Sequence, residues 1–218
     1  MKPDRPHMNS LVFIKILALC LCLAGIMAGA CIPFLYESQS LYYKFGMDKA
    51  LLQWGKAAGL IAVVLMLYQV ILMSRFQVLE PAVTRKSLAI LHKALGKFIG
   101  VLVLLHPLLI LGADGFVFFP MEKRYWPEFL GVFLLVFILA MVAMSLWRGV
   151  LKIPYKVWQR LHRFSAPLVV LLGFIHLDFV SESFGSGPPR AGLTMAMVLA
   201  LVLFAKIYVN RFFKRRSS

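Results

Sequence analysis

Cysteine is scarce in this chain, whose 218 residues include only Cys20, Cys22 and Cys31. None of them stands in a Cys-x-x-Cys spacing. Cys20 and Cys22 would project about 200° apart on a helix, because each residue turns the helix by about 100°. The three positions therefore offer no thiol redox pair and no cysteine metal site, and they favour packing as small apolar side chains.

Charged residues are also few, at 15% of the chain, whereas 61% of the residues are hydrophobic and the mean hydropathy is +0.83. No soluble domain of this size has such a composition. Runs of about 20 apolar residues predict membrane helices. We predict an all-α fold of six such helices, at about residues 11–33, 50–73, 88–112, 128–147, 157–180 and 191–212.

Acidic residues are the rarest charged class, with 9 Asp and Glu against 24 Lys and Arg and a net charge of +15. This balance would suit a nucleic-acid partner, but the placement of the charges argues otherwise. About 18 of the 24 basic residues lie at the N-terminus, in the loops after the second and fourth helices, and at the C-terminus. The positive-inside rule then places both termini in the cytoplasm. We expect a multi-pass protein of the inner (cytoplasmic) membrane, with anionic lipids as possible contacts.

The first apolar segment resembles a signal peptide, with Ala28-Gly29-Ala30 directly before Cys31. Its removal would leave five helices and place the termini on opposite faces, so we expect a retained helix. The predicted organisation is a cytoplasmic tail at 1–10, a six-helix domain at 11–212 and a basic cytoplasmic tail at 213–218.

Four of the five histidines form two pairs of equal spacing: His92 and His106 in the third helix, and His162 and His176 in the fifth. Fourteen residues climb about 21 Å and return to within about 40° of the starting direction. Both histidines of a helix therefore project from one stripe, one near each side of a membrane about 30 Å thick. Two such helices facing each other would present two histidine pairs stacked across the bilayer.

These histidines allow two interpretations. A single membrane histidine can simply form a hydrogen bond with a neighbouring helix. Ionisable residues inside a bilayer are costly, however, and are usually functional, and two matched pairs favour two bis-histidine haems. Zinc is disfavoured because its ligands converge within about 2 Å of one ion. Covalent haem attachment is excluded by the absence of a Cys-x-x-Cys-His sequence.

Small and basic residues surround the histidine stripe. Gly96 and Gly100 stand beside it on the third helix, where they would let either a porphyrin or another helix lie against the backbone. A basic rim is predicted in and after the fourth loop, at Arg148, Lys152, Lys156, Arg160 and Arg163. The rim could neutralise haem propionates and dock an acidic electron donor, or it could serve membrane topology alone. Lys93 and Arg163 directly follow a histidine and are the better propionate candidates.

Two runs carry a resemblance to a known family: RKSLAILHKALGKFIGVLVLLHPLLI at 85–110 and IPYKVWQRLHRFSAPLVVLLGFIHLD at 153–178. With their histidine pairs and the approach Tyr155, Trp158, Leu161 and His162, they resemble the ferric reductase-like transmembrane domain. That superfamily includes ferric-chelate reductases, NADPH oxidases and the haem-binding partner of a periplasmic methionine sulfoxide reductase. The resemblance implies a six-helix bundle with two haem b groups and electron flow from the cytoplasmic to the outer face.

Carried over residue by residue, the resemblance makes His92 and His162 the ligands of the inner haem iron. It makes His106 and His176 the ligands of the outer haem iron. Because it has all four histidines, the chain resembles the ferric reductase or oxidase side of the superfamily. We expect no catalytic side chain in the sense of bond-making chemistry.

The chain departs from family enzymes that continue into flavin- and nicotinamide-binding domains. Only a few residues follow the sixth helix, and the sequence has no G-x-G-x-x-G. We therefore expect the electron-transfer membrane subunit of a split system. Its donor would be a separate cytoplasmic flavoprotein reductase, a free flavin or a quinol, and its acceptor a ferric chelate or a periplasmic redox protein.

Two alternatives stay open at the level of sequence. One is a quinol-linked membrane cytochrome b, which would need a quinone pocket near a haem. The other is a structural or transport protein whose histidines only pair helices. Transporters usually have interrupted helices and inverted repeats, whereas the similarity between the third and fifth helices is parallel and confined to the histidine spacing.

Overall fold

The structure is a computed structural model that describes residues 8–74 and 83–216. Within these ranges it is helical and contains no β-strand. Six helices are long and apolar enough to cross a membrane, which confirms the predicted multi-pass all-α architecture. We number them α1 (Met8–Leu35), α2 (Gly46–Met73), α3 (Arg85–Ala113), α4 (Trp126–Trp147), α5 (Tyr155–Val180) and α6 (Gly187–Arg216).

The helices extend slightly beyond the predicted spans. α3 begins at Arg85 because Thr84 caps it, its side chain accepting a hydrogen bond from the Ser87 backbone N–H at 3.2 Å. α6 continues to Arg216 rather than ending near residue 212. A basic last turn is compatible with helix, since cations stabilise the negative end of the helix dipole. Residues 1–7 and 217–218, parts of the two predicted tails, lie outside the described ranges.

α2 is the central helix of the bundle and packs against α1, α3, α5 and α6. Its small residues allow this close approach: a Cβ built at Gly55 would lie 3.0 Å from the Ile110 side chain of α3. Leu65 of α2 and Phe174 of α5 are among the most deeply buried side chains. The hydrophobic core therefore lies between α2 and the helices around it.

Much of the remaining surface is apolar, as a lipid environment requires. Val132, Phe133 and Val136 of α4, for example, are all exposed. Because the backbone hydrogen bonds of a helix are satisfied internally, such a surface can face hydrocarbon without cost to the backbone. The three cysteines are free; Cys20 and Cys22 are exposed on α1, and Cys31 is half-buried.

Successive helices run antiparallel, so the bundle has two distinct ends. We call the end that carries both termini the terminal end, and the end that carries the loops at 36–45, 114–125 and 181–186 the loop end. The loops of the loop end are tied together. Lys44 forms an ion pair with Asp114 at 2.6 Å, and Glu182 accepts a hydrogen bond from the Gln39 backbone N–H at 2.8 Å. Polar contacts therefore join the three loops of the loop end to one another.

Candidate functional site

The structure brings the four membrane histidines together in two pairs. His92 of α3 faces His162 of α5, with ring centres 6.0 Å apart, near the terminal end. His106 faces His176, with ring centres 6.4 Å apart, near the loop end. One pair joins the first histidine of each helix, and the other pair joins the second histidine of each helix, as the equal spacing predicts. The two ring planes are nearly perpendicular in each pair, at 85° and 83°.

The backbones of α3 and α5 do not pack closely on one another. α3 packs mainly on α2, and α5 packs mainly on α4. The two helices thus face each other across the bundle, and the histidine rings project into the space between them. This arrangement is what a planar group held between two helices would need.

The spacing of each pair fits one metal ion between two imidazoles. An imidazole nitrogen lies about 1.1 Å from the ring centre and binds a transition-metal ion at about 2 Å. Two imidazoles on opposite sides of one ion therefore have ring centres about 6.2 Å apart. A direct hydrogen bond of about 2.9 Å between the rings would bring the centres to about 5 Å. The observed 6.0 and 6.4 Å match the first geometry.

The His106–His176 pair is held in one tautomer by backbone carbonyls. The Nδ1 of His106 lies 2.8 Å from the Gly55 carbonyl oxygen of α2, and the Nδ1 of His176 lies 2.8 Å from the Pro127 carbonyl oxygen of α4. A carbonyl oxygen only accepts hydrogen bonds, so each Nδ1 must carry the proton. The Nε2 of each ring is then unprotonated and free to bind a metal, the arrangement usual for ligating histidines.

Two glycines open these carbonyls to the histidines. Each Cβ of an α-helix tilts toward the N-terminus, so a side chain at position i+4 covers the carbonyl of residue i. Gly59 is four residues after Gly55, and Gly131 is four residues after Pro127. A Cβ at Gly59 would lie 2.8 Å from His106 Nδ1, and one at Gly131 would lie 2.6 Å from His176 Cε1. Both positions therefore exclude any side chain.

The His92–His162 pair has different surroundings. The Nδ1 of His92 is buried and has no hydrogen-bond partner. His162 stacks on Trp158, with ring centres 5.4 Å apart and planes 16° apart, and Trp158 in turn packs on Tyr155. These aromatic residues lie at positions i, i+3 and i+7 of α5, which share one face of a helix. Ring packing, rather than a carbonyl, thus orients the histidine of α5.

Comparison with known families decides the class of the protein. The model of the family described as "Ferric reductase like transmembrane component" matches residues 58–173, more than half of the chain. The chain belongs to this family. Searches of curated proteins and of solved structures found no match.

The matched segment runs from α2 into α5 and includes His92, His106 and His162, whereas His176 lies three residues beyond its end. The match confirms the resemblance read from the two histidine runs. It indicates a membrane redox or electron-transfer module. Both histidine pairs of this ferric reductase-like chain lie between helices of the bundle.

The glycines that the sequence placed beside the histidine stripe serve helix packing in this ferric reductase-like bundle. A Cβ at Gly96 would lie 3.4 Å from the Gln69 side chain of α2, and one at Gly100 would lie 3.5 Å from Val142 of α4. Of the two interpretations offered by the sequence, the geometry fits packing. The glycines that closely approach histidine rings are instead Gly59 and Gly131, on the flanking helices α2 and α4.

Four residues of the basic rim of this ferric reductase-like chain are exposed, and Arg148 is half-buried. Among residues 8–74 and 83–216, no ion pair involves the rim residues Lys152, Lys156, Arg160 and Arg163, nor Lys93. Arg148 lies over the Tyr155 ring at 5.6 Å. All four ion pairs found in the described part of the chain belong instead to the loop end. Within the described ranges, the terminal end therefore carries positive charges that form no ion pair.

No three His, Cys, Asp or Glu side chains converge in a way that could hold a metal ion, within the residues that the structure describes. Each histidine pair could offer at most two ligands to one metal ion. A metal there would need its remaining ligands from another molecule, such as the four nitrogens of a porphyrin. The donor set thus fits haem better than a bare ion.

Proposed function

We propose that this chain is a transmembrane di-haem cytochrome b. It passes electrons from a cytoplasmic donor to an acceptor on the outer face. The observation that carries the proposal is the separation of the two histidine pairs, 6.0 and 6.4 Å between ring centres, which suits one iron between each pair. Membership of the ferric reductase-like family supports the same cofactor and class of function.

The four histidines supply the axial ligands in this proposal: His92 and His162 for the inner haem, and His106 and His176 for the outer haem. Bound haem would supply a reversible one-electron couple. Two histidines for each iron would leave no coordination position free, which would favour outer-sphere electron transfer over oxygen binding. The carbonyls of Gly55 and Pro127 hold the proton on Nδ1 of their histidines, so Nε2 of each ring would be free to bind the iron.

The charge distribution supports a cytoplasmic terminal end. The unpaired cations of the rim lie at that end, as the positive-inside rule requires for the cytoplasmic side. We assign the membrane as the inner membrane and both termini to the cytoplasm. The rim would attract an acidic partner, and the donor we favour is a separate flavoprotein reductase; a quinol is the alternative.

The loop end would face outward and meet the acceptor. Its loops are short and tied to one another through Lys44, Asp114, Gln39 and Glu182. Such loops offer an acceptor a surface close to the His106–His176 pair rather than a deep substrate pocket. A ferric chelate or a periplasmic redox protein could receive an electron there without entering the bundle.

A structural role for the histidines is the competing proposal, and one observation favours it. His106 and His176 already have carbonyl partners, so they could link helices without any cofactor. The His92–His162 pair does not fit this reading, because His92 Nδ1 is buried without a partner. A buried polar group left unpaired costs about 1–3 kcal/mol, which a purely structural histidine would not be expected to bear.

Haem content tests the proposal against this alternative. A pyridine haemochrome assay on the purified chain should give two haem b per polypeptide, extractable because no covalent attachment exists. One haem per chain would contradict the two-site model. If protein purified from cells supplied with haem precursor contained no haem, the result would support the structural role of the histidines.

A further inference from the structure

Gln69 and His92 are joined by a hydrogen bond, and each also has one buried polar atom without a hydrogen-bond partner. The side-chain Nε2 of Gln69, on α2, donates a hydrogen bond to the backbone carbonyl of His92 at 2.9 Å. The Oε1 of the same amide and the Nδ1 of His92 are both buried and unpaired. One is an acceptor, and the other becomes a donor once it carries the proton of the neutral ring.

The other pair shows what His92 lacks. His106 and His176 each donate through Nδ1 to an oxygen on a flanking helix, at 2.8 Å. The oxygen for His106 comes from Gly55 of α2. Gln69 lies 14 residues after Gly55 on that helix, and His92 lies 14 residues before His106 on the antiparallel α3. α2 therefore presents a side-chain oxygen at the level of His92, with the same spacing as the histidines.

A glycine again opens the approach. Gly96 is four residues after His92, so no side chain covers the His92 carbonyl. A Cβ at Gly96 would lie 3.4 Å from Gln69 Nε2, at the short end of ordinary van der Waals contact, so the amide packs directly against this glycine. The same arrangement of a carbonyl and a glycine four residues later thus occurs at Gly55, Pro127 and His92. In the third case it admits the Gln69 amide rather than an imidazole.

We propose that Gln69 is the positioning residue of the inner site. When His92 binds metal through Nε2, its Nδ1–H donates to Gln69 Oε1, while Gln69 Nε2 keeps its bond to the His92 carbonyl. The amide then satisfies both unpaired atoms and fixes the ring and the tautomer. This inference rests on the proposed haem function, and it gives the inner site a side-chain acceptor where the outer site has backbone carbonyls.

The acceptor should influence the redox properties of the inner haem. A hydrogen bond from Nδ1–H raises the basicity of a ligating imidazole, and a more basic ligand stabilises ferric over ferrous iron. Gln69→Leu removes the acceptor and should raise the inner midpoint potential. Gln69→Glu keeps an acceptor oxygen and should leave that potential equal to or below that of the wild type. The outer potential should be unchanged in Gln69→Leu.

The test is a spectroelectrochemical titration of the full-length holoprotein, with the low-spin ferric EPR spectrum as a second readout. Gln53→Leu is the matched control on α2, because the Gln53 side chain donates a hydrogen bond to Glu37 at the loop end, the end opposite to the His92–His162 pair. Wild-type protein with two haems and two potentials supports the di-haem proposal independently of Gln69. Wild-type protein without an inner haem would overturn both the function and this inference.

An inner potential and EPR signal unchanged by Gln69→Leu would overturn the inference while leaving the function intact. A shift of the same sign in Gln69→Leu and Gln69→Glu would do so too. If Gln69→Leu loses the inner haem altogether, the result for Gln69→Glu decides whether the inference holds. Retention of the inner haem there, at a potential no higher than that of the wild type, supports the inference, and loss in both variants overturns it.

Discussion

At the scale of single residues, a ligating histidine needs an orientation as well as a position. The far ends of two side chains must meet at one point, and each ring must offer an unprotonated nitrogen. His106 and His176 meet this need through carbonyl partners, and His162 through stacking on Trp158. The sequence gives the positions of the histidines but none of these partners.

The pairing of the histidines can be tested by substitution. His92→Ala and His162→Ala should each remove the same haem component from the optical and EPR spectra, because the two rings lie 6.0 Å apart. His106→Ala and His176→Ala should each remove the other component. If His92→Ala and His176→Ala gave the same spectrum, the assignment of ligands to the two sites would be wrong.

The angle between the rings leads to a second prediction for the same sites. The histidine rings of the two pairs are nearly perpendicular, at 85° and 83°. As iron ligands in this orientation, they would leave the ferric dπ orbitals close in energy. Both oxidised haems should then give strongly anisotropic low-spin EPR signals. Two signals of the rhombic type typical of parallel imidazole planes would contradict this orientation.

At the scale of helices, backbone carbonyls of α2 and α4 orient His106 of α3 and His176 of α5. The contact depends on Gly59 and Gly131, where an added Cβ would lie 2.8 and 2.6 Å from a histidine ring. Real Cβ atoms do not approach so closely, so the ring must move and its 2.8 Å hydrogen bond must lengthen. We therefore expect Gly59→Ala and Gly131→Ala to weaken or abolish outer haem binding and to spare the inner haem.

The measurement is haem content per chain with the optical spectrum of each variant. Gly192→Ala is the matched control, because a Cβ there meets nothing within 4 Å. It should retain both haems. Normal outer haem content in Gly59→Ala and Gly131→Ala would show that the close approach is not needed for binding.

The sequence predicts the helices and the histidine pairs well because both follow from periodicity. Six apolar runs and a 14-residue spacing are visible without knowledge of any neighbour. The partners are not visible, since which helix lies beside His106 depends on how the bundle packs. Gly55 and Gly59 can be recognised as a small-residue pair, but Pro127 and Gly131 have no comparable signal. Gly96 and Gly100 share a helix with the histidines, yet Gly96 faces α2 and Gly100 faces α4.

At the scale of the whole molecule, the two ends differ in electrostatic character. The described ion pairs lie at the loop end, whereas Lys152, Lys156, Arg160 and Arg163 at the terminal end have no ion-pair partner in the described ranges. The Debye length shrinks from about 10 Å at 0.1 M salt to about 3 Å at 1 M. Reduction of the inner haem by a soluble acidic flavoprotein should therefore slow as ionic strength rises.

Stopped-flow reduction at several salt concentrations measures this effect. Charge reversal of the rim, as in Arg160→Glu with Lys156→Glu, should lower the rate at low salt and flatten its dependence on salt. Arg124→Glu at the loop end is the control and should behave like the wild type. A rate independent of salt in the wild type would point to a donor that does not dock on the rim, such as a quinol within the membrane.

Outward electron transfer across the membrane is the central claim, and sealed proteoliposomes test it most directly. With a reductant enclosed, the terminal end facing inward and an impermeant ferric complex outside, wild-type protein should reduce the external iron. His106→Ala should stop this transfer while the inner haem is still reduced. Failure of the wild type to pass electrons outward, or loss of inner-haem reduction in His106→Ala, would contradict entry at the His92–His162 pair and exit at the His106–His176 pair.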